Sequence, residues 1–583
     1  MKKEPFFQFD FLNLKTNQRE QTVFKNPIKI LQTTNINDIN DLLKEVELAV
    51  HNGYYAAGFL SYEAASAFMD IEEPNTDSTF PLLYFGIFEA PSELIPVNES
   101  FFEVGDWTPN ITQKEYNHAF EKIKYAFDTN KTKQVNYTMQ LNAHFKGDSY
   151  AYYNALKKQQ NANYNAYISF DNQQILSLSP ELFFDLNNDL ITVKPMKGTK
   201  ERGKNTDEDK QFKNELKAST KDRLENKLIV DLMIDELKAI SLPDSIHLKK
   251  AFDIETFPTL FQMTSTIEAQ LKPKVSFTNI FKALFPCGSI TGTPKIGTMN
   301  FINKLENRSR QVYCGAIGFI TPDNTATFNV PIRTVSINKM KNKARYDVGG
   351  GITNLSNEQD EYAEAFTKAE ILKLQNNEFK LIETFGLHTG KYVAFQAHLN
   401  RLQSSANYFN FKLNLDNIKN ELINIAKENS NENVRVKLSL NVNGVFDIST
   451  APLIINEKVK YVSLANKPIN KQNVFLYHKT SNRSFYNNLK AEKPDVFDVI
   501  LWNEQNELTE FTIGNLVIEY NGDLITPPVK SGLLPGTYRK VLLLENIITE
   551  HVITKEMLIQ AENIWLINSV RKWVKVNLKK TTS

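Results

Sequence analysis

The sequence predicts two modules of mixed helix and strand that meet near residue 376. Its 583 residues exceed one ordinary domain, and at roughly 150 residues per domain we expect two to four domains. Strand-like segments alternate with helical stretches from residue 112 to residue 340, and the alternation returns after residue 381. The segment 375–380 between them is mostly polar. We therefore divide the chain into residues 1–375 and residues 376–583.

Local patterns justify the elements in chain order. Residues 53–63 indicate a strand that leads into a helix of small residues. Further strand-like segments are 174–178, 190–194 and 315–321. Ser356 and Gln359 form a capping-box pattern, which predicts a helix from Ser356 to about residue 374. Turn-forming residues are concentrated at 526–537, inside the second module.

Composition excludes several classes of protein. Lys plus Arg number 68 against 67 Asp plus Glu, giving a net charge of +1, which argues against a dedicated nucleic-acid binder. No apolar run is long enough to span a membrane, and the first residues lack the apolar segment of a signal peptide. The two cysteines, Cys287 and Cys314, exclude a disulfide framework and a cysteine zinc site. We expect a protein of the reducing cytoplasm.

A glycine-rich segment and a charged helix face form the first candidate site. Glu361, Glu364 and Lys368 are spaced to share one face of a helix. The glycines at 349–351 precede it and let backbone N–H groups approach a ligand closely. Two carboxylates on one face suit Mg²⁺. The same spacing is also typical of a solvated Glu364–Lys368 ion pair.

Several segments that carry this chemistry occur in a characteristic order. They are residues 179–184, 194–199, 222–232, 285–295 and 346–369. Together they closely resemble the chorismate-utilising family, which includes anthranilate synthase component I, aminodeoxychorismate synthase component I and the isochorismate synthases. The resemblance covers residues 10–375. It implies a large α+β domain with antiparallel sheets surrounded by helices, and chorismate as the substrate.

The resemblance also implies a role for individual residues. It places Mg²⁺ on the ring carboxylate of chorismate, with Glu225, Glu361 and Glu364 as the metal ligands. The substrate-binding residues that it implies are Thr291, Tyr313, Arg333, Gly349, Gly350, Gly351 and Lys368. Among these, Tyr313 and Arg333 correspond to groups that hold the enolpyruvyl carboxylate.

Residue 197 distinguishes the branches of this family. The sequence reads Pro195-Met-Lys197-Gly-Thr199 and resembles aminodeoxychorismate synthases, whereas anthranilate synthases have alanine at the lysine position. A lysine amine that is kept partly neutral can act as a covalent nucleophile. The resemblance implies that Lys197 attacks C2 of chorismate while the C4 hydroxyl leaves, with Glu181 as general acid. Ammonia then adds at C4 and expels the lysine. The alternative is an ordinary surface lysine on a strand.

The source of ammonia lies outside this chain. A glutaminase needs a nucleophilic cysteine on a glycine-flanked turn, but Cys287 follows Phe-Pro and Cys314 lies in a Tyr-Cys-Gly segment. We therefore expect ammonia from a separate glutamine amidotransferase subunit or from solution. Some relatives bind tryptophan in the N-terminal region, and the sequence alone identifies no such pocket here.

The second module carries its own ordered set of motifs. Residues 381–402, 478–483, 508–516, 526–537 and 566–569 resemble fold-type IV pyridoxal-phosphate enzymes, which include aminodeoxychorismate lyase and the branched-chain and D-amino-acid aminotransferases. The match spans about 376–575 and implies a D-amino-acid aminotransferase-like fold. It implies that Lys479 forms the Schiff base with pyridoxal 5'-phosphate and that Glu510 keeps the pyridine nitrogen protonated. The phosphate-binding residues would be Arg401, Gly536 and Thr537, and the substrate-binding residues Asn568 and Ser569.

The fusion of these modules implies two successive reactions. The first would make 4-amino-4-deoxychorismate, and the second would eliminate pyruvate to give 4-aminobenzoate. Lyases and aminotransferases share the second scaffold, so the fold does not choose between them. An anthranilate synthase fused to an aminotransferase is the alternative, and a non-catalytic scaffold that recruits a glutaminase is a third hypothesis. Fold-type IV relatives form dimers, so a homodimer through the C-terminal module is possible.

Overall fold

The computed structural model describes residues 4–72, 74–94, 100–160, 162–257, 260–373, 379–453 and 459–579. The chain forms two compact units. The first consists of Met1–Glu201 and Lys213–Gln375, and the second of Arg202–Phe212 and Asn376–Ser583. The position near residue 376 where the sequence places the module boundary lies outside the described residues. The grouping of residues 202–212 with the second unit had no counterpart in the sequence analysis.

Two sheets of ten strands each form the framework of the first unit within its described part. Sheet A has the order Gly292–Thr293, Gln134–Gly147, Lys343–Thr353, Thr334–Asn338, Gln173–Ser179, Tyr164–Phe170, Phe6–Asn13 and Gln18–Lys25, with Phe102–Val104 and Thr108–Pro109 paired to Gln134–Gly147. Sheet B has the order Met196–Glu201, Leu260–Gln270, Leu190–Val193, Leu182–Asn187, Thr325–Asn329, Ala316–Thr321, Tyr55–Leu60, Leu83–Phe88 and Lys29–Thr33, with His247–Thr256 paired to Leu260–Gln270. The strand pairs within both sheets are antiparallel, as expected.

Aromatic side chains join the two sheets. In the first strand, Phe7, Phe9 and Phe11 alternate with polar residues and therefore project from one face of sheet A. They belong to a buried cluster that also contains Phe59 and Phe88 of sheet B. Burial of this much apolar surface is the main force that holds the two sheets together.

Helices cover the outer faces of the sheets in the first unit. The helix Thr206–Ala218 has residues in both units. The helices of the first unit are Ile39–His51, Gln113–Asp128, Ser149–Gln160, Thr220–Lys238, Phe277–Leu284, Lys295–Glu306 and Glu358–Ala369. The last begins one residue later than expected, because the side chain of Asn357 caps it by accepting from the backbone N–H groups of Gln359 and Asp360. It also ends earlier, at Ala369, and a single 3₁₀ turn, Glu370–Leu372, follows.

The second unit contains two further sheets in its described part. The smaller has the order Lys391–Tyr392, Leu381–His388, Asn433–Leu440 and Phe446–Pro452, and packs against the helices Phe395–Phe409 and Leu415–Glu428. The larger has the order Leu508–Phe511, Asp498–Trp502, Lys460–Leu464, Lys572–Leu578, Asn563–Asn568, Asn515–Tyr520, Asp523–Thr526 and Thr549–Glu550. The remaining helices are Ser484–Ala491, Thr537–Leu544 and Lys555–Gln560. Parallel pairs occur in the larger sheet beside antiparallel ones.

Residues 202–212 are held in the second unit by a set of polar contacts. The Arg202 guanidinium donates to both carboxylate oxygens of Asp209, at 2.7 and 2.8 Å, and lies 4.5 Å from the centre of the Tyr408 ring. The Tyr408 hydroxyl donates to the carbonyl of Gly203 at 2.7 Å. His478 Nε2 lies 3.2 Å from the carbonyl of Lys204, so this segment contacts the residue directly before Lys479. Among the described residues, no helix is both long and apolar enough to cross a membrane.

Candidate active sites

Lys197 lies against the three-glycine segment of the first unit. It is half-buried on the edge strand of sheet B, Met196–Glu201, and a Cβ atom placed on Gly351 would lie 2.7 Å from its Nζ. Burial lowers the pKa of the Lys197 amine, an effect that the carboxylate of Glu225 opposes. The structure therefore places an amine of lowered pKa against the glycine backbone.

The predicted acidic residues lie around the same glycines. A Cβ atom on Gly350 would lie 3.1 Å from Glu361 Oε2 and 3.5 Å from Lys368 Nζ. Lys368 Nζ pairs with Glu364 at 2.7 Å and donates to the carbonyl of Gly349 at 3.0 Å. Gly349 itself packs against the neighbouring strand, where an added Cβ would lie 2.0 Å from the carbonyl of Tyr137. All three glycines thus allow a close approach that a larger residue would prevent.

The acidic groups do not form a three-ligand metal site. Within the described ranges, no group of three or more His, Cys, Asp or Glu side chains is placed to hold a metal ion. Glu364 is paired with Lys368, and Glu361 Oε1 accepts from the Ser356 hydroxyl at 2.6 Å. Glu225 lies close enough to Glu361 to be influenced by it: burial raises the pKa of Glu225, the charges of Lys197 and Lys221 oppose this shift, and the charge of Glu361 adds to it. Mg²⁺ needs only one or two protein carboxylates when a ligand supplies other oxygens, so the donors present fit this ion.

Glu181 is buried beside the glycine-rich loop of residues 288–292. The Ser289 hydroxyl donates to Glu181 Oε1 at 2.5 Å. Burial raises the pKa of Glu181 to about 7, and the Ser289 hydrogen bond and the charge of Lys197 oppose this shift. A carboxyl group with this pKa can donate a proton near neutral pH, which is the role the sequence predicts for it.

Arg333 has the property expected of a group that binds an anion. Its Nη1 is buried without a hydrogen-bond partner in the described part of the chain, and burial lowers its pKa. A buried, unpaired guanidinium nitrogen is costly unless a ligand satisfies it. Tyr313 is buried nearby, since both Tyr313 and Arg333 interact electrostatically with Tyr346. Thr291 is fully buried, and its hydroxyl donates within its own loop to the carbonyl of Gly288.

Two residues at this site escaped the sequence analysis. Ser289 belongs to a quoted motif, but its contact with Glu181 appears only in the fold. Gln134 is buried, and neither its amide oxygen nor its amide nitrogen has a partner within the described residues. Its Nε2 would lie 3.1 Å from a Cβ on Gly351. Polar and apolar residues alternate at the start of the strand Gln134–Gly147, yet its first six residues are all buried, so the sequence carried no signal that Gln134 is buried.

All seven residues predicted for the second site line one pocket of the second unit. They are Arg401, Lys479, Glu510, Gly536, Thr537, Asn568 and Ser569, around a cavity of about 300 Å³. Burial lowers the pKa of Lys479 to about 8, and the charge of Arg401 adds to this effect. An amine with this pKa is partly neutral near neutral pH and can react with an aldehyde.

Glu510 occupies the buried end of this pocket. Its Oε1 accepts from the Tyr486 hydroxyl at 2.6 Å, and its Oε2 from Asn515 Nδ2 at 3.3 Å. Burial raises the pKa of Glu510 to about 7. Tyr486 was not predicted as a site residue, although it fixes this carboxyl group.

Arg401 is oriented by a buried ion network. Its guanidinium donates to both oxygens of Glu383, at 2.9 and 2.6 Å. Burial would raise the pKa of Glu383, but Arg401 and His398 outweigh it and lower the pKa to about 2. His398 Nδ1 lies 2.5 Å from Glu383, and its Nε2 lies 2.9 Å from the Ser569 hydroxyl and 3.0 Å from that of Thr537. The network thus ties three predicted residues to one carboxylate.

The turn before the helix Thr537–Leu544 leaves no room for a side chain at its start. A Cβ atom on Gly536 would lie 1.9 Å from Asn515 Oδ1. Gly536 and Thr537, the N-cap and first residue of this helix, both line the pocket, and a helix N-terminus at this position suits a phosphate. Asn568 has a different local role, because its Oδ1 accepts from the backbone N–H groups of Val570 and Arg571. It shapes the turn that borders the pocket.

Comparison with known proteins divides the chain in the same way. Residues 92–373 match the family model of chorismate binding enzymes, and residues 380–578 match that of class IV amino-transferases. The chain joins a chorismate binding enzyme domain to a class IV amino-transferase domain. The expected pairing of folds is therefore confirmed. The chorismate binding domain contains the Lys197 site, and the class IV domain contains the pocket around Lys479.

Individual relatives resemble mainly the chorismate binding domain. Aminodeoxychorismate synthase component 1 of Salmonella typhimurium is 34% identical over 277 residues, which is 48% of this chain and 61% of the relative. Anthranilate synthase component 1 of Saccharolobus solfataricus is 28% identical over 365 residues, covering 58% of this chain and 85% of the relative. The structure of anthranilate synthase component I from Streptococcus pneumoniae superposes with a TM-score of 0.52 at 22% identity, covering 64% of this chain and 90% of that one. This last likeness supports the fold alone.

Proposed function

We propose that this chain converts chorismate and ammonia to 4-aminobenzoate in two successive reactions. The proposal depends on one observation: the chain has a lysine in each of its two candidate active sites. Lys197 lies against Gly351 in the chorismate binding domain, and Lys479 lines a pocket with Glu510 in the class IV domain. The similarity to aminodeoxychorismate synthases supports the first reaction. The chain spans about three fifths of the length of that relative, so its whole activity is our proposal.

The first reaction replaces the C4 hydroxyl of chorismate with an amine. The neutral Lys197 amine forms a bond to C2, both ring double bonds shift by one position toward C4, and the C4–O bond breaks. Glu181, with a pKa of about 7, gives its proton to the hydroxyl, which leaves as water. Ammonia then bonds to C4, the double bonds shift back, and the C2–N bond to Lys197 breaks. The product is 4-amino-4-deoxychorismate.

Charged groups around the glycines hold the substrate in this scheme. Arg333, with its unpaired Nη1, and Tyr313 bind the enolpyruvyl carboxylate. Glu225 and Glu364 hold Mg²⁺, with Glu361 beside them, and the ion neutralises the ring carboxylate of chorismate. The backbone at 349–351 and Lys368 complete the pocket.

The second reaction removes the enolpyruvyl group from the intermediate. Pyridoxal phosphate, held by Lys479, Arg401 and the turn at Gly536 and Thr537, supplies an electron sink when it is bound. Glu510 keeps a proton at the pyridine nitrogen, and Tyr486 holds that carboxyl group in place. Lys479 Nζ takes the proton from C4 of the substrate, the C3–O bond breaks, and pyruvate leaves. The electrons of the C4–H bond form the C3–C4 double bond that makes the ring aromatic, and the departing enolpyruvate takes up one proton to become pyruvate.

The proposal includes a separate source of ammonia, a domain boundary, an oligomeric state and a cellular location. Neither buried cysteine fits a glutaminase site, so a separate glutamine amidotransferase subunit supplies the ammonia. We retain a domain boundary near residue 376, a homodimer through the class IV domain, and a cytoplasmic location inferred from the cysteine usage.

A product assay tests the proposal. The purified chain receives chorismate, ammonium, Mg²⁺ and pyridoxal phosphate, and the products are separated by chromatography. We expect 4-aminobenzoate and pyruvate in equal amounts. If anthranilate forms instead, or if turnover requires 2-oxoglutarate, the alternative of an anthranilate synthase fused to an aminotransferase replaces this proposal.

A further inference from the structure

The open part of the class IV pocket carries positive charge that no predicted role uses. Arg435, Lys437 and Arg571, which we call the cationic rim, line the pocket together with the cofactor-binding residues. Glu510 is the sole acidic residue among the described residues that line it, and it lies at the buried end. All three rim side chains are exposed. None has a side-chain hydrogen bond or ion pair within the described part of the chain.

The fold places two of these cations by strand alternation. In the strand Asn433–Leu440, Val434, Val436, Leu438 and Leu440 are buried against the helices of the smaller sheet. Arg435 and Lys437 therefore project from the opposite face. Lys437 lies directly across from Thr384, another residue of the pocket wall.

A glycine brings the third cation to the same place. Arg435 pairs in register with Gly386, and a Cβ atom on Gly386 would lie 2.5 Å from the carbonyl of Ser569. The missing side chain lets the turn at 568–571 pack onto this strand. Asn568 then fixes the turn by accepting from the backbone N–H of Arg571 at 2.8 Å.

Two charges of the rim, those of Arg435 and Arg571, repel one another. The pKa of Arg571 is lowered by partial desolvation at the pocket and then by the charge of Arg435, while Asp498 opposes the shift. Asp498 is not free to pair with the rim, because its Oδ1 accepts from the Thr512 hydroxyl at 2.6 Å and from the backbone of Val499. Cations gathered without a partner at the mouth of a pocket favour an anionic ligand.

We propose that the cationic rim binds the carboxylates of the substrate and makes the class IV domain selective for dicarboxylates over molecules with one carboxylate. This inference rests on the proposed function, in which the intermediate retains both carboxylates of chorismate. A cofactor phosphate would be held by Arg401 and the Gly536 turn, so the rim remains available for the substrate.

The test uses the full chain with bound pyridoxal phosphate and the triple variant Arg435→Gln, Lys437→Gln, Arg571→Gln. The matched control is Lys572→Gln, which removes a cation from the residue directly after the turn at 568–571, outside the pocket lining. Supplied 4-amino-4-deoxychorismate gives KM and kcat for the second reaction alone. We expect the triple variant to raise KM about tenfold or more with little change in kcat, and the control to match the unaltered chain.

A second readout does not depend on turnover. Isophthalate and benzoate are titrated while the visible circular dichroism of the bound cofactor, which reports only on the class IV domain, is recorded. Isophthalate should bind more tightly than benzoate to the unaltered chain, and the triple variant should lose this preference while its cofactor affinity stays the same. Unchanged KM and unchanged preference in the triple variant would overturn the inference. If the preference for isophthalate depends on the cationic rim but the intermediate is never converted, dicarboxylate binding by the rim is supported and the proposed lyase reaction is wrong.

Discussion

Substitution of Gly351 by alanine perturbs the proposed nucleophile with a single methyl group. The added Cβ would lie 2.7 Å from Lys197 Nζ and 3.1 Å from Gln134 Nε2. Ordinary contacts begin near 3.4 Å, so the amine must move by at least about 0.7 Å. Only the far ends of two side chains stand in the way, and we expect little change in stability. A displacement of about 1 Å at a reacting atom costs on the order of 100-fold in rate.

The assay separates this effect from general damage. Formation of 4-amino-4-deoxychorismate from chorismate and ammonium is measured for Gly351→Ala, and the lyase step on supplied intermediate provides an internal control in the same chain. Gly297→Ala is the matched substitution, because a Cβ there meets nothing within 4 Å. We expect a loss of about 100-fold in the first step for Gly351→Ala alone. A normal rate for this variant would refute the placement of the Lys197 amine beside the substrate.

Three further predictions concern other parts of the chain. Glu181 has a pKa of about 7 and acts when protonated, so the rate of the first step should fall as pH rises above 7. Glu181→Gln should lower this rate by about 100-fold or more and remove its pH dependence above 7. If the variant still slows above pH 7, the pH dependence belongs to another group. Lys479 has a pKa of about 8 and reacts as the neutral amine. The cofactor-free chain should therefore bind pyridoxal phosphate faster as pH rises to 8, with no further gain above it, as measured by visible absorbance. A binding rate that does not depend on pH contradicts this. Arg202→Ala removes the ion-pair partner of Asp209 in a largely buried site. It should lower the free energy of unfolding of the second unit by about 3 kcal/mol, as measured with denaturant. The exposed control Lys210→Ala should leave this free energy unchanged.

Much of the first site could be predicted because its signals are local. The glycines at 349–351 and the residues at 361 and 368 lie on a strand and the helix that follows it, so sequence spacing fixes their relative positions. The position of Lys197 against Gly351 depends instead on how an edge strand of one sheet approaches another sheet. The order of motifs predicted that approach through family resemblance, and no local pattern did.

Errors at helix starts have a simple physical cause. Ser356 and Asn357 are both good capping residues, and the fold uses Asn357 while Ser356 binds Glu361. Adjacent residues with similar propensities leave such a choice to tertiary contacts.

Long-range groupings could not be predicted from local patterns. Residues 202–212 join the second unit through Tyr408 and His478, which are remote in sequence. Arg435 and Arg571 meet only because Gly386 admits the turn at 568–571. The alternation of valine with charged residues at 434–437 did hold the information that Arg435 and Lys437 share a face, but it did not indicate what that face borders.

The central claim is that Lys197 and Lys479 serve consecutive reactions of one chain, and it is tested by transferring product between two variants. Lys479→Ala is incubated with chorismate, ammonium and Mg²⁺, the protein is removed by filtration, and the filtrate is given to Lys197→Ala loaded with pyridoxal phosphate. We predict that neither variant alone forms 4-aminobenzoate from chorismate and that the second variant forms it from the filtrate, together with pyruvate. Formation of 4-aminobenzoate from chorismate by Lys197→Ala alone would contradict the account.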